Sequence, residues 1–284
     1  MMDSIPPNQK RIALWHVPRC LSTAMVRSMA TLPNIHVFFE FFAAAAAMSE
    51  PQTTSTSPPG APDKDQVMSQ LTHKGVKEHI ESRSSEKDLV FITDPAYAMD
   101  GKYHMLPEGF QHTFIIRHPV KVFSSWETIL KSSKCDDGDL KSRMPKASCF
   151  KELYDLHQYV TTELHQPSII VDADDLVADP VETVKAYCQE LDLLFDEESM
   201  FQWDAIEEGH VPSNWEIPDG FYEKTNILGW YKNNLFDSTG LHKGTPQVVK
   251  WDDLSNVVSR SAVQNMPYYN KLYKLRVKPD IISI

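Results

Sequence analysis

The sequence predicts an α/β fold: a parallel sheet of about five strands flanked by helices, followed by a mostly helical C-terminal part. Three observations carry this. Short, near-continuous apolar runs recur, each stopped by a polar or Pro-containing turn, as suits strands buried on both faces. Helical apolar spacing follows most of them, and strand-then-helix order repeated along a chain means a parallel sheet. Beyond Phe195 the strand signals stop.

Ile12, Ala13, Leu14, Trp15 and Val17 make the first run, ended by Pro18. Ser22 or Thr23 is the expected N-cap of a helix carrying Ala24, Met25, Val26, Met29 and Leu32, with Pro33 closing the element. Ile35 to Phe39 is the second strand and ends at Glu40, where an acidic residue at a strand's carboxyl end lies in the usual ligand position of α/β sheets. Ala43 to Ala47 has high helix propensity; Ser49 to Asp65 is Pro/Ser/Thr-rich and is expected to be a mobile surface insertion. Val67 to Ile80 has helical spacing. Leu89 to Ile92 is the third strand, ending in Thr93-Asp94-Pro95, and His112 to Ile116 the fourth, closed by Arg117-His118-Pro119. Helices are expected over Val120 to Leu130 and Phe150 to Leu164, with a loop over Cys135 to Pro145 between them. Ser168 to Val171 is the fifth strand, followed by a Pro180-initiated helix from Val181 to Leu193. Leu254 to Leu275 reads as a helix broken near Pro267. Trp203, Trp215, Trp230, Tyr231 and Trp251 are scattered through the last third, where core packing accounts for most of them.

With 284 residues, one domain over 1–284 is expected, with 49–65 as a flexible insertion within it. A net charge of -11 argues against a nucleic-acid or anionic-membrane surface, because both need a basic face. Cys20, Cys135, Cys149 and Cys188 show no CxxC pairing, which favours reduced thiols. No apolar stretch of signal or membrane length occurs, so a cytoplasmic chain without a membrane anchor is expected. A homodimer is compatible with this composition.

The turn Pro18 to Thr23 opens onto a helix N-terminus. Free amides and the positive end of the helix dipole attract an anion there, and Arg19, Ser22 and Thr23 add a charge and two hydroxyls. An ordinary strand-to-helix turn with a solvent-facing Arg fits the same residues. A Mg²⁺-nucleotide P-loop would need GxxxxGK[ST], and no Gly occurs before Gly60. Further on, Arg117 at a strand end and Ser125 in the following helix both face one anion if the chain folds back over the sheet. Asp174 and Asp175 supply too few ligands for Mg²⁺, and helix capping is their expected use.

In three ordered segments the chain resembles the sulfotransferase superfamily dependent on 3′-phosphoadenosine 5′-phosphosulfate. Pro18-Arg19-Cys20-Leu21-Ser22-Thr23 is similar to its 5′-phosphosulfate loop, P-[KR]-S-x-[ST]-T. Arg117-His118-Pro119 with Ser125 is similar to its 3′-phosphate motif, and Asp174-Asp175-Leu176 through Asp179-Pro180 to its [DE]-D-L-x-x-[DN]-P segment. The branch with PRSxST loops, bacterial and plant, is the nearest in pattern.

The resemblance implies a P-loop-type sheet and a sulfotransferase acting on a hydroxyl or amine of a small-molecule acceptor, by in-line displacement without a metal. It implies that Arg19, Cys20, Leu21, Ser22, Thr23, Ala24, Arg117 and Ser125 hold the donor and its product adenosine 3′,5′-bisphosphate. Lys243 and Gly244 stand where the family often has a basic loop over the 3′-phosphate. Glu40 stands where glycan-type relatives carry the general base; among four phenylalanines, Phe38, Phe39, Phe41 and Phe42, it is expected to have a raised pKa. Arg19 is expected to stabilise the leaving oxygen, and His16 and His104 are the alternative bases. Three departures stand out: Cys20 replaces a Ser, Leu21 a frequent Gly, and Thr93 the Lys of a Lys-Asp pair. A kinase-like P-loop enzyme and a non-catalytic nucleotide-binding module are the competing readings.

Overall fold

The computed structural model describes residues 9–49, 71–82, 87–132, 148–207, 210–218 and 235–278. The expected insertion beyond its first residue, the Cys135 to Pro145 loop, and Trp230 and Tyr231 lie outside these.

Six strands form one parallel sheet: β1 (Lys10–His16), β2 (Ile35–Phe39), β3 (Leu89–Pro95), β4 (Gln111–Ile116), β5 (Ile170–Asp172) and β6 (Trp215–Glu216). Their order is β5-β4-β1-β3-β2-β6. The alternation of side chains decides how the sheet is covered. Ala13 and Trp15 join one buried cluster with Phe38, Val90, Ile92 and Phe114, whereas Ile12 and Leu14 join another with Val37, Phe91 and Ile115. Both faces are therefore dry, which is why the strands read as continuous apolar runs.

Helices α1 (Ser22–Met29), α2 (Phe41–Ser49), α3 (His73–Ser82), α4 (Pro119–Ser132), α5 (Cys149–Thr162), α6 (Ala173–Ala178), α7 (Pro180–Glu190) and α8 (Asn256–Lys274) complete the fold. The chain visits β2 and β3 on one side of β1, then β4 and β5 on the other. The topological switch thus falls at β1, and ligands of such sheets bind outside the carboxyl ends of the strands at that point.

The sheet has one strand more than expected. β6 lies beyond Phe195 and is two residues long, too short for any periodicity to register. It is held by register with β2, by stacking of Trp215 on Phe39 (5.5 Å between centroids), and by Glu216, which takes His79 at 2.6 Å and His36 at 3.3 Å. The expected break at Pro267 is also corrected, because α8 runs through it. Pro267 and Val263, whose carbonyl loses its helical donor, lie on the exposed side, where water replaces the missing bond. Ser22 and Thr23 do not cap α1 either: the N-cap is Leu21, in the left-handed region at φ 66°, and no side chain caps the helix among the described residues.

Asp174 and Asp175 sit in the first turn of α6, but the cap is Asp172, which accepts from the Asp174 amide at 2.8 Å. The two expected caps instead hold Lys121 (2.6 Å) and Arg276 (2.7 Å). Cys20, Cys149 and Cys188 are buried free thiols. Among the described residues no helix is long and apolar enough to cross a membrane.

Candidate functional site

The carboxyl edge of the sheet gathers most of the residues singled out above. The β1–α1 loop is built from two left-handed residues, Arg19 (φ 70°) and Leu21 (φ 66°). Such a conformation costs a non-glycine residue roughly 1–2 kcal/mol, which explains why glycine is favoured where Leu21 stands. It also gives the kind of turn from which backbone amides form an anion-binding concavity.

Two segments about a hundred residues apart in sequence meet here. Arg19 Nε donates to Ser125 Oγ at 3.1 Å, and Arg117 Nη1 donates to the Arg19 carbonyl at 3.1 Å. Arg117 lies at the end of β4 and Ser125 two turns into α4, so the fold-back expected from their spacing is present. Arg117 Nε is buried and has no hydrogen-bond partner among the described residues. Burial pulls its guanidinium below the usual arginine range, with Asp174 the largest opposing influence. A buried, orphaned donor on a half-buried cation, beside a helix N-terminus with no side-chain cap among the described residues and no acidic residue in its first turn, fits an anion.

Cys20 takes no part through its side chain. The thiol is in the core packed beneath α1, and burial pushes it up to about 12 despite neighbouring Ser22 and Val17 amides and Arg117. Only its backbone remains to meet a ligand. Ser22 is buried, Thr23 and Ala24 half-buried, at the start of α1.

On the other side of β1 the edge turns acidic. Glu40, buried, leaves β2 at φ 56°; its amide donates to the Thr93 carbonyl (2.9 Å) and its carbonyl accepts from the Ala44 amide (3.1 Å). Its Oε1 lies 4.0 Å from His16 Nε2, so the two leading base candidates are neighbours. Burial drops His16 to about 4, so it is neutral at physiological pH. Asp94, at the end of β3, accepts from the Phe42 and Ala43 amides (3.0 and 2.8 Å) and caps α2. Sequence reasoning placed Asp94 as the retained member of a Lys-Asp pair at the end of the third strand, without foreseeing that it caps a helix. His104 sits exposed in a short turn.

Lys243 pairs with Asp179 at 2.9 Å, and the Gly244 amide donates to the Val177 carbonyl, which fastens this loop to the α6–α7 junction. Trp203 lies under the Arg27 guanidinium at 5.6 Å, so it and Trp215 serve packing. Among the described residues no group of three or more His, Cys, Asp or Glu is arranged to hold a metal ion.

A family model described as a sulfotransferase domain matches residues 10–274. Two curated proteins of Arabidopsis thaliana are similar: branched-chain-amino-acid aminotransferase-like protein 2, 28% identical over 81% of this chain and 36% of its own length, and protein 1, 24% identical over 80% and 35%. The chain thus spans about a third of the curated relatives it matches. Similar solved structures include the sulfotransferase domain from the Synechococcus PCC 7002 olefin synthase (15% identical, 95% of this chain and 98% of that one, TM-score 0.48). Mouse sulfotransferase SULT7A1 complexed with PAP is another (12%, 96% and 85%, TM-score 0.47).

Proposed function

The chain belongs to the sulfotransferase-domain family, and from that premise we propose that it moves a sulfuryl group from 3′-phosphoadenosine 5′-phosphosulfate to a hydroxyl or amine of a small-molecule acceptor. The observation that carries the donor assignment is the meeting of Arg19, Ser125 and Arg117, which brings the two anion motifs to one place. Arg117 and Ser125 would hold the 3′-phosphate. Arg19, the Ser22 and Thr23 hydroxyls and the amides from Cys20 to Ala24 would hold the 5′-phosphosulfate.

In the proposed reaction the acceptor oxygen or nitrogen forms a bond to sulfur as the bond from sulfur to the bridging oxygen breaks in line. Adenosine 3′,5′-bisphosphate leaves with that electron pair, and Glu40 takes the acceptor's proton. Charge grows on the bridging oxygen, where Arg19 and the loop amides stabilise it; one well-placed donor of this kind contributes roughly a hundred- to a thousandfold in rate. Glu40 is preferred over His16 because it stands where glycan-type relatives carry the base, whereas burial has lowered the His16 imidazole to about 4 and removed the near-neutral basicity that makes histidine a good general base. Lys243 and Gly244 remain with the proposal as a loop contact, in which Lys243 would exchange Asp179 for a phosphate. A cytoplasmic location and a homodimer complete the proposal.

Calorimetric titration with adenosine 3′,5′-bisphosphate, against adenosine 5′-monophosphate and ATP-Mg²⁺, tests this first. Binding that needs the 3′-phosphate is expected, and sulfuryl transfer from labelled donor to a panel of small alcohols and amines should follow. A preference for ATP-Mg²⁺ would turn the reading to a kinase-like enzyme; product binding without transfer to any acceptor would turn it to a nucleotide-binding module.

A further inference from the structure

Asp94, whose contacts the sequence did not foretell, is the residue that holds the candidate base in place. Glu40 occupies a left-handed conformation (φ 56°) that an ordinary side chain adopts only when its surroundings impose it. Three contacts impose it. The Glu40 amide is tied to the Thr93 carbonyl of β3 and the Glu40 carbonyl to the Ala44 amide of α2. The third is Asp94: its two carboxylate oxygens take the amides of Phe42 and Ala43, so the first turn of α2 is pinned to the end of β3.

We infer that Asp94 is a positioning residue for Glu40: by capping the Phe42 and Ala43 amides it fixes the strained turn from which the Glu40 carboxylate stands beside His16. This rests on the proposed role of Glu40. The site offers Asp94 nothing else to do, because it is 1% exposed and both oxygens are engaged with backbone. Among the described residues, the charged and titratable groups around the pair include His16 on β1, Tyr97 in the turn after β3, and Cys149 and Glu152 on α5 beyond Tyr97. Burial raises Asp94 well above the usual carboxylate range against the pull of the α2 amides, and the Glu40 charge adds to that rise. The two carboxyl groups therefore feel each other.

The test uses Asp94→Asn, which keeps the size but turns one acceptor into a donor facing an amide. Asp94→Ser, which keeps one acceptor oxygen, is the second variant where the first does not fold. The first readout needs no turnover: amide exchange at Glu40, Phe42 and Ala43, and titration of the Glu40 carboxyl followed by NMR. Exchange faster by roughly tenfold, the loss of one amide bond to the cap, is expected, together with a shifted Glu40 midpoint as its partner carboxyl and the turn it holds are altered. Unchanged exchange and midpoint overturn the inference.

The second readout is a double-mutant cycle with Glu40→Gln. Asp94→Asn is expected to lower kcat about ten- to a hundredfold with donor KM little changed, and to add nothing in the Glu40→Gln background. Additive losses would make Asp94 a plain helix cap. Full turnover by Glu40→Gln alone would remove the base assignment, while the exchange and titration data still judge the clamp.

Discussion

Two helices leave the same edge of the sheet, and their N-termini are built in opposite ways. α2, after β2, is capped by Asp94, so the protein itself supplies the acceptors that the free amides of that helix N-terminus need. α1, after β1, has neither a side-chain cap nor an acidic residue in its first turn, and Arg19 and Arg117 stand beside it. The strand order turns this contrast into a division of labour. Arg117, Arg19 and Glu40 follow β4, β1 and β2, Asp94 lies near the end of β3, and these four strands are neighbours in the order β4-β1-β3-β2. The proposed anionic donor and general base need opposite surroundings, and the basic and acidic ends of this edge lie on strands β4 and β1 and strands β3 and β2. His16, at the end of β1, marks the boundary.

The sharpest way to break the comparison is to disable the acidic side alone. Glu40→Gln should cut turnover by about a hundred- to ten-thousandfold, the range for a general base, while adenosine 3′,5′-bisphosphate binds as before by calorimetry. A parallel loss of binding would mean that the two sides are not separate.

Acid tests the boundary strand. Burial lowers His16, and also His112, to about 4 from 6.5. Between those values the unfolded chain takes up protons that the folded chain does not. Stability is therefore full above the ordinary imidazole range and falls as the pH drops toward 4, by at most about 3 kcal/mol for each histidine. Melting temperatures from neutral pH downward should show the fall. His112→Gln should remove one histidine's share of it, leaving those of His16 and His157, because glutamine can still accept the Trp15 Nε1–H bond (3.0 Å) that His112 Nδ1 accepts now, without titrating.

Disabling the basic side comes next in size. Arg117→Ala should weaken product binding roughly ten- to a hundredfold, the loss of a hydrogen-bonded charge, and calorimetry on this variant reads it directly. That this residue's part could be named from sequence, and the capping contact of Asp94 could not, has a physical reason. Arg117, Ser125 and Arg19 belong to short motifs whose spacing survives in the sequence, and each follows an apolar run that marks its strand. Asp94 works on backbone amides fifty residues earlier in the chain, a contact that depends on β3 lying next to β2, and strand order leaves no trace in local pattern. The same limit hid β6, which exists only because β2 offers it an edge. Leu21 shows the reverse error: Ser22 and Thr23 have the chemistry of caps, but the left-handed turn at Leu21 places them inside the helix, where their hydroxyls are not spent on its amides.

The smallest effect belongs to Lys243, and it asks whether the C-terminal loop joins the basic side. Lys243 is exposed and paired with Asp179, which also caps α7 by accepting from the Glu182 amide. An exposed pair of this kind contributes only about 0–1 kcal/mol. Contact with a phosphate would have to replace it, so the net gain on binding is the difference of two similar terms. Lys243→Ala should therefore weaken product binding by less than about tenfold. Asp179→Asn frees the lysine and should move affinity in the opposite direction, with little loss of the α7 cap because asparagine caps nearly as well. If both substitutions leave the calorimetric affinity unchanged, Lys243 serves to fasten its loop to α7, and the basic side ends at Arg19, Arg117 and Ser125.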